Sequence, residues 1–277
     1  LECGNALPLS KRHHDGALQN NKTINMMAIQ VQHVSFTYDG RAVLRDISLR
    51  VPAGAFTVLL GKNGSGKSTL LKIMAGLLPF KTGSIEILGK GLNRLTLSER
   101  GKIIGYLPQF HNPVFPFTVR EVVLTGRASY VFSQPGKGDR EKADQAIAEV
   151  GIEELRDRPY TELSGGERQL VMIARVLAQE PRVILLDEPL SHLDLANQVR
   201  FLGLVKKLTA RGLTVLAVLH DPNLAFLSGD HFVLLKDGRV REVSGEDRPW
   251  EAGLLSEVYG TPIETIPFRD RALVVPF

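Results

Sequence analysis

The sequence predicts an α/β fold, a mainly parallel sheet with helices on both faces, plus an N-terminal antiparallel β subdomain and an inserted helical subdomain. Three observations point there. Short apolar runs such as Phe56-Thr57-Val58-Leu59-Leu60 and Val183-Ile184-Leu185-Leu186 suit strands buried on both faces. From residue 165 onward strand and helix patterns alternate. Ahead of that alternation the segment 115–163 reads as helices, so it interrupts the sheet rather than extending it.

The elements follow in order. Val31, Val34, Phe36 and Tyr38 lead to the turn Asp39-Gly40, and a second strand pattern runs from Val43 to Val51. After Phe56–Leu60 comes a glycine-rich loop, then a helix over about 67–78 and a strand pair over about 84–107. Helices are expected at 118–130 and 139–150. The first opens on the capping box Thr118-Val119-Arg120-Glu121. Beyond 165 the pattern gives a helix to about 179, a strand at 182–187, a helix to about 210, a strand at 213–219, a short helix, and a hairpin at Asp237-Gly238. Residues 1–27 are expected to be a flexible extension, 28–260 the folded domain with its helical subdomain at about 111–163, and 261–277 a tail.

Composition narrows the function classes. With 34 basic and 30 acidic residues the net charge is only +4, and no basic stripe marks a nucleic-acid binder. The single Cys3 excludes an internal disulfide framework and a cysteine metal cluster. No run approaches the ~18 apolar residues of a membrane span, and no apolar stretch near the start resembles a signal peptide.

The run Gly61-Lys62-Asn63-Gly64-Ser65-Gly66-Lys67-Ser68-Thr69 has the spacing of a nucleoside-triphosphate phosphate loop, in the required setting after a buried strand and before a helix. Its glycines let backbone N–H groups point inward at phosphate oxygens, and the helix N-terminus adds positive potential. Lys67 is placed to reach the β- and γ-phosphates and Ser68 to offer a hydroxyl to Mg2+. The strand Val183–Leu186 ends in Asp187-Glu188. A parallel strand delivers its last residues to the ligand edge of the sheet, where Asp187 can hold Mg2+ and Glu188 can act as general base toward water.

Between these elements lies Leu163-Ser164-Gly165-Gly166-Glu167-Arg168-Gln169. Ser164 and Glu167 make a capping box, and the two glycines bare N–H groups at a helix start, a second anion site. Here the chain resembles the ATPase subunits of ABC transporters, a P-loop NTPase family, over about 28–260. The resemblance implies that two copies pack head to tail, so that Ser164, Gly165, Gly166 and Glu167 of one copy serve the ATP of the other. It also assigns Gln109 to the loop that senses metal and γ-phosphate, Asp194 in Ser191-His192-Leu193-Asp194 to a loop reaching across the dimer, His220 to the switch histidine, and Tyr38 to stacking on adenine. Three positions depart from the usual pattern: Lys62, Leu190 and Leu219. None removes a catalytic group.

Within that family the stretch Phe115–Arg127, together with Asp194-Leu195-Ala196-Asn197-Gln198, looks like importers of iron–siderophore chelates, haem and cobalamin. Zinc/manganese and molybdate importers share much of this pattern, and a soluble non-transport ABC ATPase is the rival class. The resemblance implies ATP and Mg2+ as ligands and a separate membrane permease docked on the helical subdomain. It implies indirect dependence on a periplasmic or extracellular substrate-binding protein, and a peripheral place at the cytoplasmic face of the cell membrane. No nucleic-acid partner is expected.

Overall fold

The structure, a computed structural model, describes residues 26–109, 116–191, 193–243, 248–269 and 271–276. The extension expected over 1–27 lies outside the described residues up to residue 25, as do Phe115 and His192. In chain order the elements are β1 (Met27–Tyr38), β2 (Arg41–Pro52), β3 (Phe56–Leu60), α1 (Lys67–Met74), β4 (Thr82–Ile87), β5 (Lys90–Gly91), α2 (Leu97–Ile103) and β6 (Ile104–Leu107). Then come α3 (Val119–Leu124), α4 (Lys137–Val150), α5 (Gly165–Leu177), β7 (Val183–Asp187), α6 (Leu195–Ala210), β8 (Thr214–Val218) and α7 (Pro222–Ser228). The chain closes with β9 (His231–Lys236), β10 (Arg239–Val243), α8 (Ala252–Tyr259), β11 (Ile263–Phe268) and β12 (Arg271–Pro276).

The central sheet has the order β10-β9-β3-β8-β7-β6, parallel except for the edge strand β10. A second, antiparallel sheet has the order β2-β1-β4-β5. The mainly parallel sheet and the antiparallel N-terminal subdomain thus stand as the sequence predicts. Because alternate residues of a strand point to opposite faces, each central strand feeds two cores. Ile184 and Leu186 pack with the helical side, among residues of α4 to α8. Val183 and Leu185 pack with α1 and the antiparallel sheet, beside Leu70, Leu71, Ile29 and Ile85. Strands β3, β7 and β8 are buried along their whole length, which explains their unbroken apolar sequences.

Helices α3 and α4 pack across α5 and each other, so α5 is shared by the inserted helices and the sheet. The buried Arg127 helps hold this group together, 3.2 Å from Asp139 and 2.9 Å from Glu180. Two segments differ from the sequence expectation. The strand pair expected over about 84–107 contains a helix, α2, capped by Thr96 and Glu99. The segment beyond 260, read as a tail, forms the antiparallel hairpin β11–β12.

Candidate functional site

The phosphate loop follows β3 and curls into the N-terminus of α1. Two glycines are required by geometry. Gly61 has φ 150° and a Cβ there would collide with the Leu235 carbonyl oxygen; Gly66 has φ 105° and its Cβ would stand 2.8 Å from Leu44 Cδ2. The loop closes on itself through Lys67, whose Nζ donates to the carbonyls of Gly61 at 2.8 Å and Lys62 at 2.9 Å. Burial pulls the Lys67 ammonium below its ordinary value, opposed by the negative charges of Glu188 and Asp187. The Ser65 hydroxyl is buried inside the loop with no protein partner. An orphaned buried hydroxyl beside a ring of backbone N–H groups fits a phosphate-binding cradle.

Strand β7 sits next to β8 and β6, so Asp187 and Glu188 emerge at the sheet edge where the loop opens. Ser68 Oγ donates to Asp187 Oδ1 at 2.9 Å. Burial pushes the Asp187 carboxyl above its ordinary value; the Ser68 bond works against this and the neighbouring Glu188 adds to it. The Tyr106 phenol on β6 is also pushed up, first by burial and then by the charge of Asp187. A hydroxyl and a carboxylate side by side are hard oxygen donors, the set that suits Mg2+ together with substrate phosphates.

Glu188 leaves the strand in a left-handed conformation, φ 53°, which a non-glycine residue adopts at a cost of ~1–3 kcal/mol. The following turn is pinned: Ser191 Oγ donates to the Glu188 carbonyl at 2.9 Å, and Gln169 Nε2 on α5 donates to the Pro189 carbonyl at 3.1 Å. The Glu188 carboxylate then accepts from Gln109 Nε2 and lies 2.6 Å from His220 Nε2. Gln109 beyond β6 and His220 beyond β8 thus converge on the carboxylate that follows β7.

Lys67, Ser68, Gln109, Glu188 and His220 share one cleft of about 850 Å3, and Asp187, outside its lining, is joined to it through Ser68. Its floor is Asn63, Gly64, Ser65, Gly66, Lys67, Ser68 and Thr69, and one wall carries Gln109, Glu188 and His220. The other wall is the β1–β2 hairpin with Tyr38, Arg41, Val43 and Arg45. Tyr38 is 43% exposed, held edge-on to Phe36 at 4.8 Å, so its ring is free to take a flat ligand. Asp237 and Gly238 complete the rim, where the Gly238 carbonyl accepts from Arg45 N at 2.7 Å. Sequence reasoning missed Arg41, Arg45, Tyr106 and Asp237. None belongs to a spaced motif, and only the docking of the β9–β10 turn onto β2 brings Asp237 to the cleft.

The remaining residues singled out from the sequence lie apart from it. Ser164 caps α5: its Oγ accepts from Glu167 N at 3.3 Å, and its own N donates to Glu167 Oε2 at 2.8 Å. Asp194 caps α6 by accepting from Asn197 N at 2.8 Å. None of Ser164, Gly165, Gly166, Glu167 or Asp194 lines the cleft that holds the phosphate loop.

A triphosphate cradle opening at the end of a parallel sheet, with a carboxylate poised beside it, defines a nucleoside-triphosphate hydrolase. The ABC transporter family model matches residues 44–191. A protein of Helicobacter pylori described as an iron chelatin transport ATP-binding protein is 38% identical over 253 residues, which cover 90% of this chain and 99% of that protein. The hemin import ATP-binding protein HmuV of Gloeobacter violaceus is 41% identical over 244 residues, covering 86% of this chain and 88% of that protein. Among solved structures, an ABC transporter assigned to the metal-chelate type, in an inward-facing conformation, aligns with a TM-score of 0.78 at 31% identity, over 91% of this chain and 98% of that chain. The chain therefore belongs to the ABC transporter family, as an ATP-binding subunit with ATPase activity.

Proposed function

We propose that this chain powers import of a metal chelate of the iron–siderophore, haem or cobalamin type, as one of two identical ATPase subunits closed head to tail beneath a membrane permease. The observation that carries the paired arrangement is the separation of the capping box at Ser164 from the chain's own cleft. The class of cargo is taken from what the relatives are described as transporting. Among the described residues no helix is long and apolar enough to cross a membrane. The pore in this reading is another chain, docked on the helical subdomain, with this chain peripheral at the cytoplasmic face, as the family resemblance implies.

The chemistry follows from the geometry. Tyr38 stacks on the adenine, and the loop from Gly61 to Thr69 with Lys67 holds the phosphates. Ser68 and Asp187, with Gln109 nearby, would hold Mg2+, which when bound neutralises charge on the phosphate oxygens. Glu188 takes a proton from water as the water oxygen bonds to the γ-phosphorus and the bond to the β-bridging oxygen breaks, leaving ADP and phosphate. Gln109 and His220 hold the Glu188 carboxylate in place. Ser164, Gly165, Gly166 and Glu167 of the second copy close on the same γ-phosphate, and Asp194 lies along that seam. ATP favours the closed pair and its hydrolysis reopens it.

Glu188→Gln is expected to bind ATP with wild-type affinity and to lose turnover by roughly a hundredfold or more. Undiminished hydrolysis would defeat the assignment of Glu188. For the transport reading, the tagged chain is extracted from host membranes in mild detergent and its companions identified by mass spectrometry. A polytopic permease in equal stoichiometry is expected. Recovery with nucleic acid or ribosomal proteins alone would overturn the importer and leave the ATPase standing.

A further inference from the structure

We infer that the C-terminal hairpin β11–β12 is a brace for His220, with Asn223 and Arg271 as its positioning residues. The inference rests on the role proposed above for His220. That residue lies between β8 and α7, so its direction is set by how those two elements are held. Strand β8 is fixed inside the sheet between β3 and β7. Helix α7 has only seven residues, too few to be stable by itself.

Its first turn is capped by Asp221, whose Oδ1 accepts from Asn223 N at 2.7 Å. The side chain of Asn223 then reaches out to β12. Val274 N donates to Asn223 Oδ1 at 2.6 Å, and Asn223 Nδ2 donates to the Val274 carbonyl at 3.1 Å. A side-chain amide thus pairs with this strand as a neighbouring backbone would. At the opposite end of α7 the Arg271 guanidinium, also on β12, donates to the carbonyls of Phe226 and, at 3.3 Å, Gly229. Those are terminal helix carbonyls, where a cation is favoured. One strand therefore clasps both ends of the helix that follows His220.

The clasp is itself anchored, as a two-stranded sheet must be. Ile263, Ala272 and Val274 are buried, and Ile263 N donates to Ser256 Oγ on α8 at 2.9 Å. Phe226 on α7 is fully buried against Phe232 and Trp250, with ring centroids at 5.3 and 6.0 Å. Helix α8 ends at Tyr259, whose hydroxyl is buried and pushed up to about 12 by burial, with the charge of Asp221 adding to it. At the next residue, Gly260, an added Cβ would lie 4.0 Å from the Lys62 ammonium of the phosphate loop. The C-terminal segment thus holds the helix after His220 and passes near the phosphate loop.

The test uses the full chain. In Asn223→Ala and in Arg271→Gln, kcat is expected to fall about ten- to a hundredfold, the cost of a small misplacement at a reacting centre. KM for ATP and the affinity for a fluorescent ATP analogue should stay unchanged. In histidine-labelled protein the His220 ring resonance should move while the other histidine signals do not. Asn223→Asp, which keeps the acceptor for Val274 N, should recover part of the rate, and it carries the test if Asn223→Ala melts early. If His220→Ala hydrolyses ATP normally, the role of His220 itself is wrong. If His220→Ala is impaired while Asn223→Ala and Arg271→Gln keep both wild-type kcat and an unmoved His220 signal, the brace is wrong and His220 stands.

Discussion

Asp187 and Glu188 are neighbours in sequence with opposite demands. Glu188 is the centre of a three-residue cluster with Gln109 and His220, held by a strained backbone. Asp187 is 2% exposed, and burial raises its pKa although Lys67 and Lys72 pull the other way. A carboxyl whose folded value lies above 3.8 contributes stability that is present at low pH and lost as pH rises through the folded value. Asp187→Asn keeps an acceptor for Ser68 and removes the buried charge. The nucleotide-free variant, melted in chelator near neutral pH, is expected to unfold about 2–4 °C above wild type, for each kcal/mol relieved, while Mg2+-dependent hydrolysis collapses. An equal or lower melting temperature would mean that the two lysines outweigh burial. Lys67, Ser68, Asp187 and Glu188 were readable because each sits at a fixed offset in a short motif. Arg41 and Arg45 were not, since a cation on an exposed hairpin looks like any solvated cation until the hairpin is seen to wall the cleft.

Three helices begin on the same device. Thr96 with Glu99, Thr118 with Glu121 and Ser164 with Glu167 each exchange two hydrogen bonds. In each the glutamate is held below its ordinary 4.5, first by the backbone N–H of the capping residue. A lowered carboxyl contributes stability above its unfolded value that is lost as pH falls through the folded one. The exposure of these groups keeps each contribution small. Glu167→Gln retains the reciprocal bonds without the charge. Its melting temperature should therefore fall less than wild type between pH of about 5 and about 3.5, with the helix content by circular dichroism unchanged at neutral pH. A parallel fall in both proteins would remove the carboxylate from the account. The box at Thr96 was overlooked because α2 has no buried residue and begins on Leu97, which is 82% exposed, so no apolar stripe marks a helix there. The hairpin β11–β12 was hidden for a related reason. Pro267 and the exposed Ile266 and Phe268 blur the alternation of an edge pair. By contrast β3, β7 and β8 were plain, because burial on both faces leaves only apolar residues to write them.

Across the whole molecule, α5 packs in the core on one face of the central sheet and α1 in the core on the other, and the capped N-terminus of α5 does not line the cleft. Helix α5 is tied to the turn after Glu188 through Gln169, whose amide donates to the Pro189 carbonyl. If the bared N–H groups at Ser164 serve a second copy, Ser164→Arg should block closure without harming ATP binding. In the Glu188→Gln background, ATP should shift the chain to a dimer on gel filtration, and adding Ser164→Arg should abolish the shift. A dimer that survives the arginine would place the interface elsewhere. The overall architecture was legible from sequence because strand–loop–helix order fixes which loops share an edge of the sheet. Which face each cap presents was not, because that depends on how the helices between 118 and 162 swing α5 against the core.

The absence of the Ser164 cap from the lining of its own cleft also implies a rate law. If, as proposed, each cleft is completed by a second copy, a lone subunit is idle, and in dilute solution output should rise with the square of the concentration. Specific activity would then fall on dilution, and a flexible tether joining two copies would restore it by raising the local concentration. A membrane scaffold holding the pair would do the same, making the catalyst first-order where it is assembled and nearly silent where it is free.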